Sequence, residues 1–309
     1  TLQYTFYHPR DGWAEQDTEV WWKAVVASTR DVIKKSGVDP SNIIVIGLSG
    51  QMEGCIAVGK GGKPLRPAIL HLDTRAKKEV EELKKRLGDD VVYKITWNIL
   101  DAESTLAKIL WIRKNEPTVF NSVEKFLSGA KDYIAYKLTS EYVTDFVDAS
   151  ISYLFDMRRK SWSEELCEVV GISPDNLPMI KPAASLVGEV CGEASKELGI
   201  SSKTLVAVGS GDLGCSIVGA GVVSVGDACS YLGSTAWIAS SSSTLVDGRR
   251  YGLYNFVHPN PEMYNIVGAV LCAGHSVRWF RNEIGVLENC LSASLGKDPY
   301  ELLDEEGSR

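Results

Sequence analysis

Leu205-Val206-Ala207-Val208-Gly209-Ser210-Gly211-Asp212 reads as a buried strand running into a glycine-rich turn that ends in a carboxylate. Gly214 and the small-residue run Ile217 to Gly221 follow at once. Glycine permits tight turns and close approach of backbone to a ligand. A carboxylate at the carboxyl end of a strand is well placed to accept a proton. Upstream, Ile43 to Leu48 is a second continuous apolar run, the pattern of a parallel strand buried on both faces. Before it, Asp17 can cap a helix to about Lys35, with Trp21, Ala24, Val25, Ser28 and Val32 on one side. This order of strands and helices gives an α/β fold class.

The remaining elements follow from the same signals. Leu2 to Tyr7 reads as an edge strand and Cys55 to Val58 as a short strand. Helices are expected at Asp73 to Leu87, Leu106 to Lys114, Lys131 to Leu138 and Trp162 to Val170, and a strand at Val123 to Leu127. Past Leu205, strands are expected at Ala228 to Leu232, Ala236 to Ser240 and Tyr264 to Leu271. Helices follow at His275 to Glu283 and Pro299 to Glu305. Two domains are expected, 1–200 and 201–309, the boundary falling between Ile180 and Thr204.

Composition excludes several function classes. The formal net charge of -7 opposes a nucleic-acid partner, whose phosphates need a basic surface. No 18-residue apolar run is long enough to span a membrane. The four histidines are not clustered, so no protein-ligated metal is expected. Seven cysteines, an odd number with no C-x-x-C pair, read as buried free thiols in a reducing, cytoplasmic setting.

Three polar clusters follow apolar runs: Gln51-Met52-Glu53, Asp73 with Arg75, and Asp212. Together they suit a cleft for a hydroxyl-rich small molecule, because amides and carboxylates satisfy buried hydroxyls. Trp13 reads either as a platform for the apolar face of a sugar or as an anchor for the Asp11-Gly12 turn. Asp73 and Arg75 read equally as a helix cap with a local ion pair, and Asp212 as a cap accepting from Gly214 or Cys215. The turn Tyr231-Leu232-Gly233-Ser234-Thr235-Ala236 is either a hairpin turn or a phosphate cradle. A carboxylate base beside a sugar, with a phosphate-holding turn, suggests phosphoryl transfer from a nucleotide. The Walker pattern is absent, and no G-x-G-x-x-G follows Ile43 to Leu48.

In this order, these residues resemble the FGGY family of carbohydrate kinases, most nearly its bacterial xylulose kinase branch. Gly12-Trp13-Ala14-Glu15-Gln16-Asp17 with Trp21-Trp22 is similar to W-x-E-Q-D-P…WW. Gly50-Gln51-Met52-Glu53-Gly54 is similar to G-Q-M-H-G, and Leu65 to Leu70 with Asp73-x-Arg75 to L-R-P-A-I-L-W-x-D-x-R. Lys108 to Ile112 with Asn115-Glu116-Pro117, Lys131-Asp132-Tyr133, and Thr139 to Asp148 match further family segments. The resemblance runs from about Trp13 to Glu306.

It implies two actin-like, ribonuclease-H-like domains, the second incomplete, with sugar bound in the cleft. It implies Asp212 as the general base and Trp13, Gln51, Met52, Glu53, Asp73 and Arg75 on the sugar side. Gly233, Ser234, Thr235 and Gly274 would face the nucleotide, with ATP and Mg2+ as donor and a pentulose such as D-xylulose as acceptor. Ribulose, glycerol or erythritol, or sugar binding without catalysis, are the alternatives; a homodimer is the default assembly. The sequence departs from the family where Glu53 replaces a His, Leu213 an Asn or Gln, and His71 an aromatic. The family's opening G-x-D-x-G-T-[ST] hairpin is expected before Thr1 and its late nucleotide-holding turn after Arg309. The chain is thus expected to be a fragment that transfers no phosphate alone and leaves apolar faces uncovered.

Overall fold

A computed structural model describes the chain except Thr1, Gln3, Ser234, Leu271 and Arg309; of Asp89 only the backbone is described. Its centre is a three-stranded sheet in the order Leu186–Glu189, Leu205–Ala207, Val45–Ile46. Leu205–Ala207 runs parallel to Val45–Ile46 and antiparallel to Leu186–Glu189. The strand that the sequence reading assigned to the second unit is therefore hydrogen-bonded into the first. Beyond a break, the same two chain segments pair again, Ser210 opposite Ser49 and Gly211 opposite Gly50.

The break is made by Gly209. Its φ of +70° lies in the left-handed region, and a Cβ there would stand 1.9 Å from the Leu48 carbonyl oxygen. Only glycine lets the two backbones cross this closely.

The helix Thr18–Ser36 packs on this sheet with Ala130–Thr139 and Gly192–Leu198. Its ends follow the sequence: Asp17 accepts the Glu19 N–H, Lys34 and Lys35 occupy the last turn, and Gly37 closes it in the left-handed conformation. Trp21 and Trp22 are buried, but Val32, expected on the inner side, is 60% exposed. The Ile43 to Leu48 run is not buried on both faces either. Only Val45–Ile46 pairs as strand, and Ile44 and Val45 are exposed. Ile43, Ile46 and Leu48 instead face, with Ala24, Val25 and Leu138, an open apolar cavity of about 640 Å³.

A second cluster of core residues lies under the helices Lys77–Leu87, Asp89–Thr96, Thr105–Asn115 and Glu164–Val170, centred on Leu106, Ile109, Ile112 and Leu166. The Lys77–Leu87 helix starts later than expected because Asp73 is occupied elsewhere. Among the described residues of the expected edge strand Leu2 to Tyr7, only Tyr7 bridges, to Glu15.

The C-terminal part is a four-stranded antiparallel sheet in the order Ala228–Leu232, Ala236–Ser242, Tyr264–Val270, Leu253–Val257. Helices Gly274–Glu283, Val286–Leu295 and Pro299–Gly307 follow. Leu253–Val257 and Val286–Leu295 have no counterpart in the sequence reading. The sheet is joined to the first part by reciprocal bonds: Asn255 N–H donates to Asn98 Oδ1 at 2.7 Å, and Asn98 Nδ2 to the Asn255 carbonyl at 2.8 Å. Apolar side chains Leu232, Ile238 and Val270 on the sheet, and Trp279 and Leu287 on the helices, are exposed. All seven cysteines are free. Cys55 and Cys167 are buried as expected, whereas Cys272 and Cys290 are exposed. Among the described residues no helix is long and apolar enough to cross a membrane.

Candidate active site

The paired ends Ser49–Gly50 and Ser210–Gly211 deliver two loops to one place. Gln51-Met52-Glu53 leaves the first strand, and Asp212 opens the helix Asp212–Gly219 after the second. Contact is direct: a Cβ on Gly211 would lie 2.3 Å from Met52 Sδ. Asp212 projects to the surface, and Oδ1 accepts only the N–H of its neighbour Leu213 at 2.9 Å. It does not cap its helix through Gly214 or Cys215. Partial burial raises its pKa above the ordinary carboxylate value. A carboxylate that is reachable, lightly bonded and raised in basicity suits a proton acceptor.

Glu53 sits in the left-handed region at φ 56°, a conformation that non-glycine residues hold mainly where the surroundings enforce it. The enforcing group is Lys108, whose Nζ is fully buried and donates to the carbonyls of Glu53 (2.6 Å) and Glu103. Burial, and then the charge of Asp101, push the Glu53 carboxyl up to about 8. Burial and Glu103 push Asp101 up to about 6, and burial lowers Lys108. At neutral pH Glu53 is therefore largely a protonated acid, able to donate as well as accept.

The other sugar-side residues divide. Gln51 Nε2 donates to Gln16 Oε1 at 3.3 Å, which also receives Trp21 Nε1 at 2.6 Å. Asp73 is fully buried and accepts from the N–H of Ala14 and of Arg75 and from the Arg75 guanidinium. Arg75 also pairs with Glu15 at 2.7 Å, and its guanidinium lies 3.8 Å from the Trp13 ring centre and 4.8 Å from that of Trp111. Trp13, Asp73 and Arg75 thus form an interior network. None of them hydrogen-bonds or ion-pairs with Asp212 among the described residues.

In the turn expected to face the nucleotide, Gly233 N–H donates to the Thr235 carbonyl at 2.8 Å, and Gly274 N–H donates to the Gly233 carbonyl at 2.9 Å. The turn and the start of helix Gly274–Glu283 are thereby tied together. Ser234 lies outside the described residues. The helix start carries no side-chain cap; the N–H groups of Gly274, Ser276 and Val277 donate to the carbonyls of Gly233 and Ala273.

Sequence reading missed the buried charges Lys108 and Lys131. Lys131 Nζ lies 2.7, 3.0 and 2.9 Å from carboxylates of Asp132, Asp145 and Asp148, all fully buried. Burial opposes its charge, but the three carboxylates outweigh that and raise it well above the ordinary lysine value. Burial, then Asp145 and Asp132, raise Asp148 strongly. The one signal available was the KD pair and the three-residue spacing of Asp145 and Asp148.

Residues 1–219 match the model of the FGGY family of carbohydrate kinases, N-terminal domain. The chain belongs to this family. This FGGY chain is 31% identical over 290 residues to a xylulose kinase of Staphylococcus xylosus, covering 94% of the chain and 59% of that relative. It is 29% identical over 299 residues to a glycerol kinase of Thermococcus onnurineus, covering 93% of the chain and 58% of that relative. Among solved structures, a xyloylose kinase from Brucella ovis superposes with a TM-score of 0.84 at 29% identity, covering 97% of this chain and 59% of the other. The fold is thus the actin-like α/β sugar-kinase type, and the chain spans about six-tenths of these relatives.

Proposed function

We propose that the protein transfers the terminal phosphoryl group of ATP to a hydroxyl of a small sugar or polyol, a pentulose such as D-xylulose first, with Asp212 as general base. The observation that carries this is the contact of Gly211 with Met52, which unites the carboxylate with the Gln51-Met52-Glu53 loop. Asp212 would take the proton of the attacking hydroxyl as the new P–O bond forms and the ADP oxygen leaves. Met52 offers an apolar wall, and Glu53 offers a protonated acid to a sugar oxygen. Trp13, Asp73 and Arg75 would act from behind, by fixing the wall that carries this loop.

The uncapped start of the helix Gly274–Glu283 suits a phosphate through its positive dipole end, while the Gly233 and Gly274 N–H groups hold the turn beside it. Gly233, Thr235 and Gly274 are the described residues proposed to hold the nucleotide, with Ser234 between them. No group of three or more described His, Cys, Asp or Glu residues is suited to caging a metal. Mg2+ would be bound mainly through the nucleotide phosphates, which needs only one or two carboxylates; Asp212 would face it. Residues 1–200 would form the sugar side and 201–309 the nucleotide side, linked through Leu205–Gly211. A cytoplasmic homodimer is the expectation on general grounds.

A second reading, sugar binding without catalysis, draws on Leu213, which packs against the apolar cluster of Ile217 and Phe256 and offers no polar group beside the base. ADP release from Mg-ATP by the intact polypeptide across D-xylulose, D- and L-ribulose, glycerol and erythritol decides between them. Activity with one acceptor, reduced about 10²–10⁴-fold in Asp212→Asn, is expected. Acceptor binding with no ADP release would favour the second reading.

A further inference from the structure

We infer that Ser210 and Asp145 are positioning residues that aim the Asp212 carboxylate; this rests on the proposed role of Asp212 as base. Ser210 is buried, two residues before Asp212, and its hydroxyl donates to Asp145 Oδ2 at 2.6 Å. The other oxygen, Oδ1, lies 3.0 Å from Lys131 Nζ. Asp145 is itself fixed by the N–H groups of Val147 and Asp148, at 3.2 and 3.3 Å, at the start of the helix Phe146–Ile151. On its far side the Ser210 hydroxyl is pressed against the next helix, where a Cβ on Gly214 would lie 2.3 Å from Oγ. Asp148 closes the frame: its Oδ1 would be 3.0 Å from a Cβ on Gly211.

The base-bearing turn is thus clamped between a fixed carboxylate and the first turn of its own helix. By contrast, the Asp212 side chain makes no bond beyond its neighbour's N–H. Its direction is therefore set by the backbone of 210–212, which is held by the pairing of Ser210–Gly211 with Ser49–Gly50 and, through the side chain, by the Ser210–Asp145 bond. A misplacement on the order of 1 Å in such a turn costs about 10²-fold in rate. The effect should appear in turnover and not in substrate binding, because neither Ser210 nor Asp145 reaches the substrate side.

The test uses the intact polypeptide with Ser210→Ala, Asp145→Asn and the double variant. Each single change should lower kcat about 10–100-fold with KM altered less than about twofold. The double should be no worse than the poorer single, because both break one bond. Additive losses, a KM effect equal to the kcat effect, or unchanged kcat would overturn the inference. Should the wild type phosphorylate no acceptor, the proposed function falls, and amide hydrogen exchange still decides the clamp. In Ser210→Ala, exchange at Gly211 to Leu213 should rise at least about tenfold while Leu205–Ala207 is unchanged. Equal protection in both proteins, or a rise throughout both segments, would refute it.

Discussion

Replacing Lys131 by Met removes the one cation among the described residues within 3.0 Å of Asp132, Asp145 and Asp148. The lysine side chain is 1% exposed, so the pairing is shielded from bulk water. Breaking a buried ion pair by deleting one partner costs about 3–5 kcal/mol, because the remaining charge is left uncompensated. For a domain of this size each kcal/mol lowers the melting temperature by roughly 2–4 °C, so a fall of about 6–20 °C is expected. The pH dependence follows from the carboxylates. Burial already raises the Asp132 and Asp148 carboxyls, and without Lys131, whose charge opposes that rise, both climb further, so the folded state binds protons more tightly. Stability is then highest at acidic pH, where they are protonated in both states, and falls as pH climbs toward the raised folded values. Circular-dichroism melts of Lys131→Met and wild type at pH 5 and pH 8, at one ionic strength, should give the larger deficit at pH 8. A deficit under about 2 °C, or one that grows at pH 5, would refute the electrostatic account of this cluster.

Glu53→Gln should flatten the pH profile of stability. Glu53 has a folded pKa of about 8 against an ordinary value of 4.5, so its contribution is lost as pH rises between those values; Gln cannot ionise. Melts from pH 5 to pH 9 should show the variant gaining on wild type above pH 7, and a constant difference would contradict the shift. Acceptor KM should rise above pH 8 in wild type but not in the variant, as steady-state kinetics over pH 6–9 would record. Gly209→Ala combines positive φ with a 1.9 Å approach to the Leu48 carbonyl, which no side-chain movement relieves. It should cost more than about 3 kcal/mol and yield little folded protein, seen as loss of a cooperative melt.

Local signals made much of the fold readable. The Thr18–Ser36 helix announced both ends, through Asp17 and Gly37, because caps are set by single residues. The Leu205 to Asp212 turn was readable for the same reason. Leu253–Val257 escaped because Asn255, a poor strand former, stands at its centre. That Asn is tolerated because its side chain donates to the Trp97 and Val246 carbonyls and accepts from the Val246 N–H, partners that no local pattern reveals. Ile43 to Leu48 looked fully interior, since six apolar residues do not say how many neighbours a strand will find. The site divides in the same way. Met52, Glu53 and Asp212 could be read from loops after strands, whereas Asp73 and Arg75 proved mutually occupied in the interior. The burial of Lys108 and Lys131 is a property of packing, and charged residues read by default as surface.

The parallel pairing of Val45–Ile46 with Leu205–Ala207 joins positions 160 residues apart (205 minus 45). During synthesis the first of these strands must therefore wait for the second. At about 5–20 residues per second, that wait lasts roughly 8–32 s. Throughout it, Ile43 to Leu48 lacks that partner beside the apolar side of the Thr18–Ser36 helix, and the turn bearing Asp212 does not yet exist. Completion of this site is thus a late event in the life of the nascent chain, and the interval before it is when a chaperone would hold the greatest claim on the protein.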